Sequence, residues 1–150
     1  MSDGAVTVRL MQPTDLDAIV GIDQRVLKVL RRDYYVMKFE RNFEHRDTLP
    51  ASLVAEDEHG NVVGFVMGHI YMGEYGIFQE EATLDTIGVD PDYQKRGIGE
   101  ILINEFLAHL KTLGVQKIYT LVSWDDSKLV RFFSGNAFVP SETINLERIL

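Results

Sequence analysis

The sequence predicts a single α/β domain built around a mixed β-sheet. Its length of 150 residues suits one domain that buries a sizeable core without disulfides. Strand-like and helix-like hydrophobic patterns follow one another in the order β-α-α-β-β-β-α-β-α-β-β, with no repeat or low-complexity segment between them. A glycine-rich turn separates one strand pattern from a long amphipathic helix. Because this order is mixed, a purely parallel sheet is not expected.

The first half of the chain supplies two helical regions between three strands. Its segments, in order, are a strand at 5–10, a helix at 13–30, helical stretches within 31–47, and strands at 52–56 and 62–71. The first strand alternates apolar and polar residues, and Pro13 followed by acidic residues is typical of a helix start. The last two strands flank Gly60, in a turn whose residues tolerate positive φ, so they are expected to form a hairpin.

The second half alternates strands with helices and then ends in two short strands. Its segments, in order, are a strand at 82–89, a helix at 98–113, a strand at 117–122, a helix at 126–134, and strands at 137–139 and 143–149. The long helix repeats Ile98, Leu102 and Phe106 at helical spacing, and Gly114 stands where a C-terminal cap belongs. This apolar face is expected to pack against the sheet and hold the start of the helix rigidly.

The composition excludes several classes of function. The chain has 15 basic and 23 acidic residues and a formal net charge of −8, which argues against a nucleic-acid partner and suits a cationic amine substrate. The absence of cysteine excludes disulfides, thiolate metal sites and a cysteine nucleophile, and it fits the cytoplasm. No window approaches ~18 consecutive apolar residues and no secretory signal is visible, so no membrane partner is expected.

The glycine-rich turn predicts an anion site. Glycines let the backbone approach a ligand closely, and the unpaired N–H groups and dipole of the following helix favour phosphate. Lys95 and Arg96 add positive charge. A nucleotide P-loop is excluded because no Lys-Ser/Thr pair follows Gly99, and a dinucleotide fingerprint is excluded because Leu102 replaces its third glycine. A helix start without a ligand remains the alternative for a bare Gly-x-Gly.

The segment Val89-Asp90-Pro91-Asp92-Tyr93-Gln94-Lys95-Arg96-Gly97-Ile98-Gly99 resembles motif A of the GNAT superfamily of acyl-CoA-dependent N-acetyltransferases. The family pattern is Gln/Arg-x-x-Gly-x-Gly/Ala after a strand ending in Val-Asp-Pro. The first strand and helix, the hairpin and the late Asp126-x-x-Leu129-x-x-Phe132-Phe133 helix fall in the family's order. The resemblance therefore covers nearly the whole chain. It implies one acetyltransferase domain over 1–150, with a mixed, mostly antiparallel sheet of about six or seven strands that is splayed at the motif-A strand.

The resemblance also implies a donor site and partners. The pantetheine arm of acetyl-CoA is expected along the motif-A strand, where a backbone N–H of Ile87 or Gly88 polarises the thioester oxygen. The acetyl-CoA-binding residues are then Ile87, Gly88, Val89, Gln94, Lys95, Arg96, Gly97, Ile98, Gly99, Glu100, Asp126 and Phe133. Acetyl-CoA is the acyl-donor substrate and no metal is implied. The acceptor is a primary amine, on a protein or a small molecule, and a homodimer stays open.

Asp85 is the leading candidate for the general base that deprotonates the amine. It lies two residues before Ile87, so strand alternation predicts that both face the same side, and its apolar neighbours predict a raised pKa. Several small-molecule acetyltransferases of the family carry glutamate at the matching position. A structural carboxylate is the alternative, and Glu80, Glu81 and His69 are weaker candidates.

The late helix departs from the family. The family places there a tyrosine that protonates the leaving thiolate, but the aligned residue is Phe133, which has no proton to give. The chain is partly similar to the ribosomal-protein alanine N-acetyltransferases, yet Leu121 stands where those enzymes carry a glutamate. A non-catalytic acyl-CoA sensor and a structural protein with a vestigial anion site are therefore the alternatives to an enzyme. The candidates for the wall of an acceptor pocket are Tyr34, Tyr35, Phe39 and Phe43, and core packing is the alternative for each of them.

Overall fold

The computed structural model describes residues 5–43, 51–72 and 80–150. The end of the predicted helical region, 44–47, lies outside them. The strands are β1 (Thr7–Leu10), β2 (Leu53–Glu56), β3 (Val62–Met72), β4 (Glu80–Val89) and β5 (Lys117–Thr120). The helices are α1 (Leu16–Leu27), α2 (Arg32–Phe43), α3 (Ile98–Thr112) and α4 (Ser127–Gly135). The chain divides into two compact units, Met1–Thr120 and Leu121–Leu150, which are described separately.

The first unit contains one five-stranded sheet in the order β1-β2-β3-β4-β5. The first three pairings are antiparallel and the β4–β5 pairing is parallel, which confirms the predicted mixed, mostly antiparallel sheet. The parallel pairing is short, since β5 contacts β4 only from Glu81 to Leu84. Beyond Leu84, β4 keeps its β3 neighbour on one edge, and no described strand pairs with its other edge. This divergence is the predicted splay.

The helices of the first unit cover both faces of this sheet. A Cβ at Gly64 would meet side chains of Leu102 and Ile98 from α3. The neighbouring Phe65 points the other way, into a cluster with Ile19 of α1 and Tyr35 of α2. Tyr35 is fully buried and Phe39 is 7% exposed, so both side chains pack in the core and do not line an acceptor pocket.

The second unit contains α4 and a C-terminal segment without regular structure. Asn136 and Ala137 end the helix, and Ala137 has a φ of 67°. The predicted strands at 137–139 and 143–149 are wrong, because residues 136–150 form no ladder with any described strand. The Ser141 hydroxyl donates to the Thr143 carbonyl (2.8 Å), a local bond that competes with strand pairing. The sheet thus has five described strands, where six or seven were predicted.

The helices offer no candidate for a membrane span: within the described ranges, none is both long and apolar enough to cross a bilayer.

Candidate active site

Asp85 lies at a β-bulge between β3 and β4. Met67 pairs with Thr86 and Gly68 pairs with Leu84, so Asp85 between them has no cross-strand partner. A bulge re-aims the side chains around it and often stands beside an active site. Asp85 and its neighbour Thr86 both reach α2, the first through Lys38 and the second through Tyr35.

The bulge overturns one geometric expectation. A Cβ at Gly88 would meet the Phe65 ring at 2.8 Å, so Gly88 lies on the α1 and α2 side of the sheet together with Thr86. Ile87, between these two residues, therefore points to the other side. The prediction that Asp85 and Ile87 share a face is wrong, because the bulge interrupts the alternation on which it depended.

The Asp85 carboxylate is held by three side chains. Oδ1 accepts a hydrogen bond from the Thr83 hydroxyl (2.8 Å). Oδ2 accepts from the Lys38 ammonium (3.0 Å) and lies 3.1 Å from Nδ1 of His69. The side chains of Asp85 and Lys38 are 14% and 15% exposed, so this ion pair is largely shielded from water. The arrangement fixes an ionised carboxylate at the bulge.

The pKa of Asp85 corrects a second expectation. Burial alone raises it, but hydrogen bonds from His69, Lys38 and Thr83 outweigh burial and hold the pKa below its usual range. The predicted raised pKa is therefore wrong: the apolar strand residues were apparent in the sequence, whereas the partners from α2 and β3 were not. A carboxylate stabilised in this way is a weak base towards an amine but a strong hydrogen-bond acceptor.

A solvent-open pocket lies beside this carboxylate. It is lined by Lys38, Arg41, Asn42, His69 and Asp85. The His69 side chain is 39% exposed, whereas the Asp85 side chain is 14% exposed. The pocket therefore presents a histidine at its surface with the carboxylate behind it.

A buried network holds α2 against the sheet next to this pocket. The Tyr35 hydroxyl donates to Asp23 Oδ1 (2.7 Å) and lies 3.5 Å from the Thr86 hydroxyl. Arg31 donates to both carboxylate oxygens of Asp23 at 3.0 and 2.6 Å. Burial raises the pKa of Tyr35, so its hydroxyl remains a donor. Two helices and β4 are thus joined one residue away from Asp85.

The edge of β4 continues into the glycine-rich turn. Gln94 donates from its side-chain amide to the Val89 carbonyl (3.1 Å), which ties the turn to the end of the strand. Asp90 accepts from the Asp92 N–H (3.0 Å) and from Arg25 of α1 (2.7 Å). These bonds fix where the chain leaves the sheet. The structure therefore brings Ile87, Gly88 and Val89 into line with the turn.

The turn has the backbone of an anion site. Lys95 and Gly97 have φ values of 65° and 79°. Gly97 precedes the first residue of α3 and supplies no side-chain cap, and a Cβ built on it meets nothing within 4 Å. The first N–H groups of α3, from Ile98 to Glu100, have no intrahelical acceptors because every α-helix begins in this way. An uncapped helix start with open space before it suits a phosphate group.

Two predicted site residues lie in the second unit. The Asp126 carboxylate caps α4 by accepting from the Leu129 N–H (3.1 Å). The Phe133 ring stands edge-on to Phe132 and Phe138, with ring centres 5.3 and 5.1 Å away. Within this unit both residues have structural contacts, and their parts in acetyl-CoA binding stay predictions.

Sequence reasoning underrated His69 and missed Lys38. His69 was only a weaker candidate, although a histidine opposite Thr83 in an antiparallel pair is close to the side chain two residues along. Nothing in the sequence pointed to Lys38, because it lies 47 positions before Asp85 and contacts it only in the folded chain. Among the described residues no group of three or more histidine, aspartate or glutamate side chains is placed to hold a metal ion.

Comparisons with known proteins agree with this architecture. The mycothiol acetyltransferase of Propionibacterium freudenreichii is 31% identical over 128 residues, which is 83% of this chain. The chain spans only 40% of that relative's length. The ribosomal protein bS18 alanine N-acetyltransferase of Salmonella typhimurium is 26% identical over 134 residues, 88% of this chain and 80% of the relative.

Solved structures show the same fold. An aminoglycoside N-acetyltransferase, AAC(6')-Iy in complex with CoA, matches with a TM-score of 0.79 and 18% identity over 97% of this chain and 95% of that chain. The ribosomal-protein-S18-alanine N-acetyltransferase of Escherichia coli matches with a TM-score of 0.74 and 22% identity over 91% of this chain and 79% of that chain. The model of the acetyltransferase (GNAT) family matches residues 19–138. The predicted enzyme class is thereby confirmed, and the chain belongs to the acetyltransferase (GNAT) family.

Proposed function

We propose that the chain transfers an acetyl group from acetyl-CoA to a primary amine, by direct attack of the amine in a ternary complex. One observation carries the proposal: the edge of β4 with which no described strand pairs leads, through the turn at 90–97, to the start of α3, which has no side-chain cap. A donor with an amide-bearing arm and a pyrophosphate needs these two features next to each other. Ile87, Gly88 and Val89 would pair with the arm, and the N–H groups from Lys95 to Glu100 would bind the pyrophosphate.

The acceptor side is the pocket on the α2 face of β4. Asp85 and its partners lie on this face, while the splayed edge of β4 supplies the donor site. An amine in the pocket would then approach the thioester from across the strand. The N–H of Ile87 or Gly88 would stabilise the oxyanion that forms at the thioester carbonyl. The formal net charge of −8 draws a cationic amine towards the protein, although the pocket itself carries Lys38 and Arg41 beside Asp85.

An assay with a panel of candidate acceptor amines identifies the acceptor class. The relatives include a ribosomal protein bS18 alanine N-acetyltransferase and a mycothiol acetyltransferase, so the panel spans protein and small-molecule acceptors. A peptide with a free N-terminal alanine, a blocked peptide with one lysine, and phenylethylamine would be incubated with acetyl-CoA while CoA thiol is measured. Thiol release that depends on one acceptor supports the proposal and identifies the class.

A non-catalytic acyl-CoA sensor is the second candidate, and Phe133 in place of the family's tyrosine is the observation that favours it. Such a protein would bind acetyl-CoA in calorimetry and release no thiol with any member of the panel. A protein with a vestigial anion site would give no heat of binding at all.

A further inference from the structure

The hydrogen bonds around His69 select one form of its imidazole. The ionised Asp85 carboxylate can only accept, and Nδ1 of His69 lies 3.1 Å from its Oδ2. Nδ1 also lies 3.0 Å from the Thr83 hydroxyl and Nε2 lies 3.5 Å from it, but the proton of this hydroxyl is donated to Asp85 Oδ1. Nδ1 is therefore a donor to both oxygens and carries the hydrogen. In the neutral ring, the lone pair is then on Nε2.

The Asp85 carboxylate has little capacity left for an incoming amine. Oδ1 is used by Thr83, and Oδ2 is shared by Lys38 and His69. Its side chain is 14% exposed, against 39% for His69 in the same pocket. An amine in the pocket thus meets the imidazole before it meets the carboxylate.

We infer that Nε2 of His69 accepts the proton of the attacking amine, and that Asp85 is a positioning residue that holds the imidazole in the required tautomer. This inference rests on the proposed acetyl transfer. The neutral amine forms the N–C bond to the thioester carbonyl carbon, and the C–S bond breaks with its electron pair leaving on sulfur as the CoA thiolate. The proton lost by nitrogen moves to Nε2 and then to solvent.

The β-bulge brings Asp85 and His69 together. Asp85 is the extra residue of β4, and Gly68 is paired immediately beside it on β3. A Cβ at Gly68 would overlap the Thr83 carbonyl oxygen, so only glycine allows the strands to approach here. That approach brings the His69 ring, one residue further, against Thr83 and Asp85.

Charged side chains from three elements surround His69. The charged and titratable groups around it are Asp85 and Glu81 on β4, Lys38 and Arg41 on α2, and Tyr71 beside it on β3. Asp85 is the one of these groups that holds Nδ1, so replacing it with asparagine leaves Nε2 in place but frees the imidazole to change tautomer.

The test compares His69→Asn with Asp85→Asn on the acceptor that the wild-type protein uses. His69→Asn keeps an amide N–H near the position of Nδ1 but removes the titrating group. We expect kcat at saturating acceptor to fall by about 10²-fold or more and its acidic limb to disappear, with acetyl-CoA affinity unchanged. Asp85→Asn should lower kcat but keep an acidic limb, because the imidazole is still present. His59→Asn, at a histidine whose side chain is 75% exposed in the β2–β3 turn, is the matched control and should change neither.

The opposite pattern overturns the inference. If Asp85→Asn abolishes the acidic limb while His69→Asn retains it, the carboxylate is the base. If the wild-type protein turns over no acceptor, the proposed function fails instead, and nitrogen NMR of the imidazole still tests the geometry. The Nδ1–H tautomer should dominate in the neutral ring and should lose its dominance in Asp85→Asn. A dominant Nε2–H tautomer in the wild-type protein would contradict the assignment.

Discussion

Gly97 and Gly60 form a matched pair for testing the donor site. Their φ values are 79° and 81°, and a Cβ built on either meets nothing within 4 Å. Gly60 lies in the turn between β2 and β3, whereas Gly97 stands at the start of α3. Valine at either position meets the same backbone strain, and only at position 97 does it occupy the space before the helix.

The expected losses of stability and of acetyl-CoA affinity follow from this comparison. A left-handed conformation costs a residue with a Cβ about 1–2 kcal/mol, so each valine should lower the free energy of unfolding by at least about that amount. A domain with ordinary stability of about 5–15 kcal/mol stays folded after such a loss. At position 97 the side chain would also hold the pyrophosphate away from the N–H groups. We expect Gly97→Val to weaken acetyl-CoA binding by at least about 100-fold, or ~2.8 kcal/mol.

Titration calorimetry with acetyl-CoA measures the affinity, and thermal unfolding measures the stability of the same samples. Gly60→Val should bind acetyl-CoA like the wild-type protein although its unfolding temperature falls as much as that of Gly97→Val. Equal affinities in the two variants would refute the placement of the pyrophosphate. A loss of affinity in both would show that strain, and not occlusion, governs binding.

Three further predictions concern the leaving group, the bulge and acid stability. Phe133→Tyr should change turnover by less than about tenfold, or ~1.4 kcal/mol of barrier, because a thiol with a pKa near ~8.5 departs as thiolate without a protein acid; a gain of several orders of magnitude in the thiol-release assay would contradict this. Gly68→Ala should lower stability in thermal unfolding by about 1–3 kcal/mol, since its Cβ overlaps the Thr83 carbonyl oxygen, and an unchanged unfolding temperature would contradict the close strand approach. Burial alone raises the pKa of Asp15, but hydrogen bonds led by those from Arg9 hold it below its ordinary value of 3.8. The stability that this carboxylate contributes is therefore present above pH ~3.8 and lost as the pH falls through its folded-state pKa, so Asp15→Asn should flatten the acid limb of a stability–pH curve.

The sequence was sufficient to predict the structural features that depend on residues close together in the chain. Alternation along β1 and helical spacing along α3 reflect periodicities that depend on few neighbours, and the predicted glycine-rich turn is present with a positive φ at Gly97. The order of the elements from β1 to α4 and the mixed sheet followed from these local patterns. The start of α3 was predicted at Ile98, where the structure has it.

The sequence was insufficient where distant segments meet. Asp85 takes its protonation behaviour from Lys38 and His69, which lie 47 and 16 positions away, so its apolar neighbours in sequence gave the wrong direction for its pKa. The bulge that breaks the alternation arises from the pairing of β3 with β4, which neither strand reveals alone. The C-terminal residues carry strand-like alternation, but a strand also needs an available partner.

The transfer of acetyl groups is tested most directly by the stoichiometry of one reaction mixture. A reaction of the wild-type protein with acetyl-CoA and the best acceptor of the panel would be sampled over time. CoA thiol would be measured by a colorimetric assay and the acetylated acceptor by intact-mass spectrometry. The proposed function predicts one acetyl group gained per acceptor amine for each thiol released, and no thiol release above background without acceptor. Saturable binding of acetyl-CoA with no acetylated acceptor, or thiol release that does not depend on the acceptor, would contradict it.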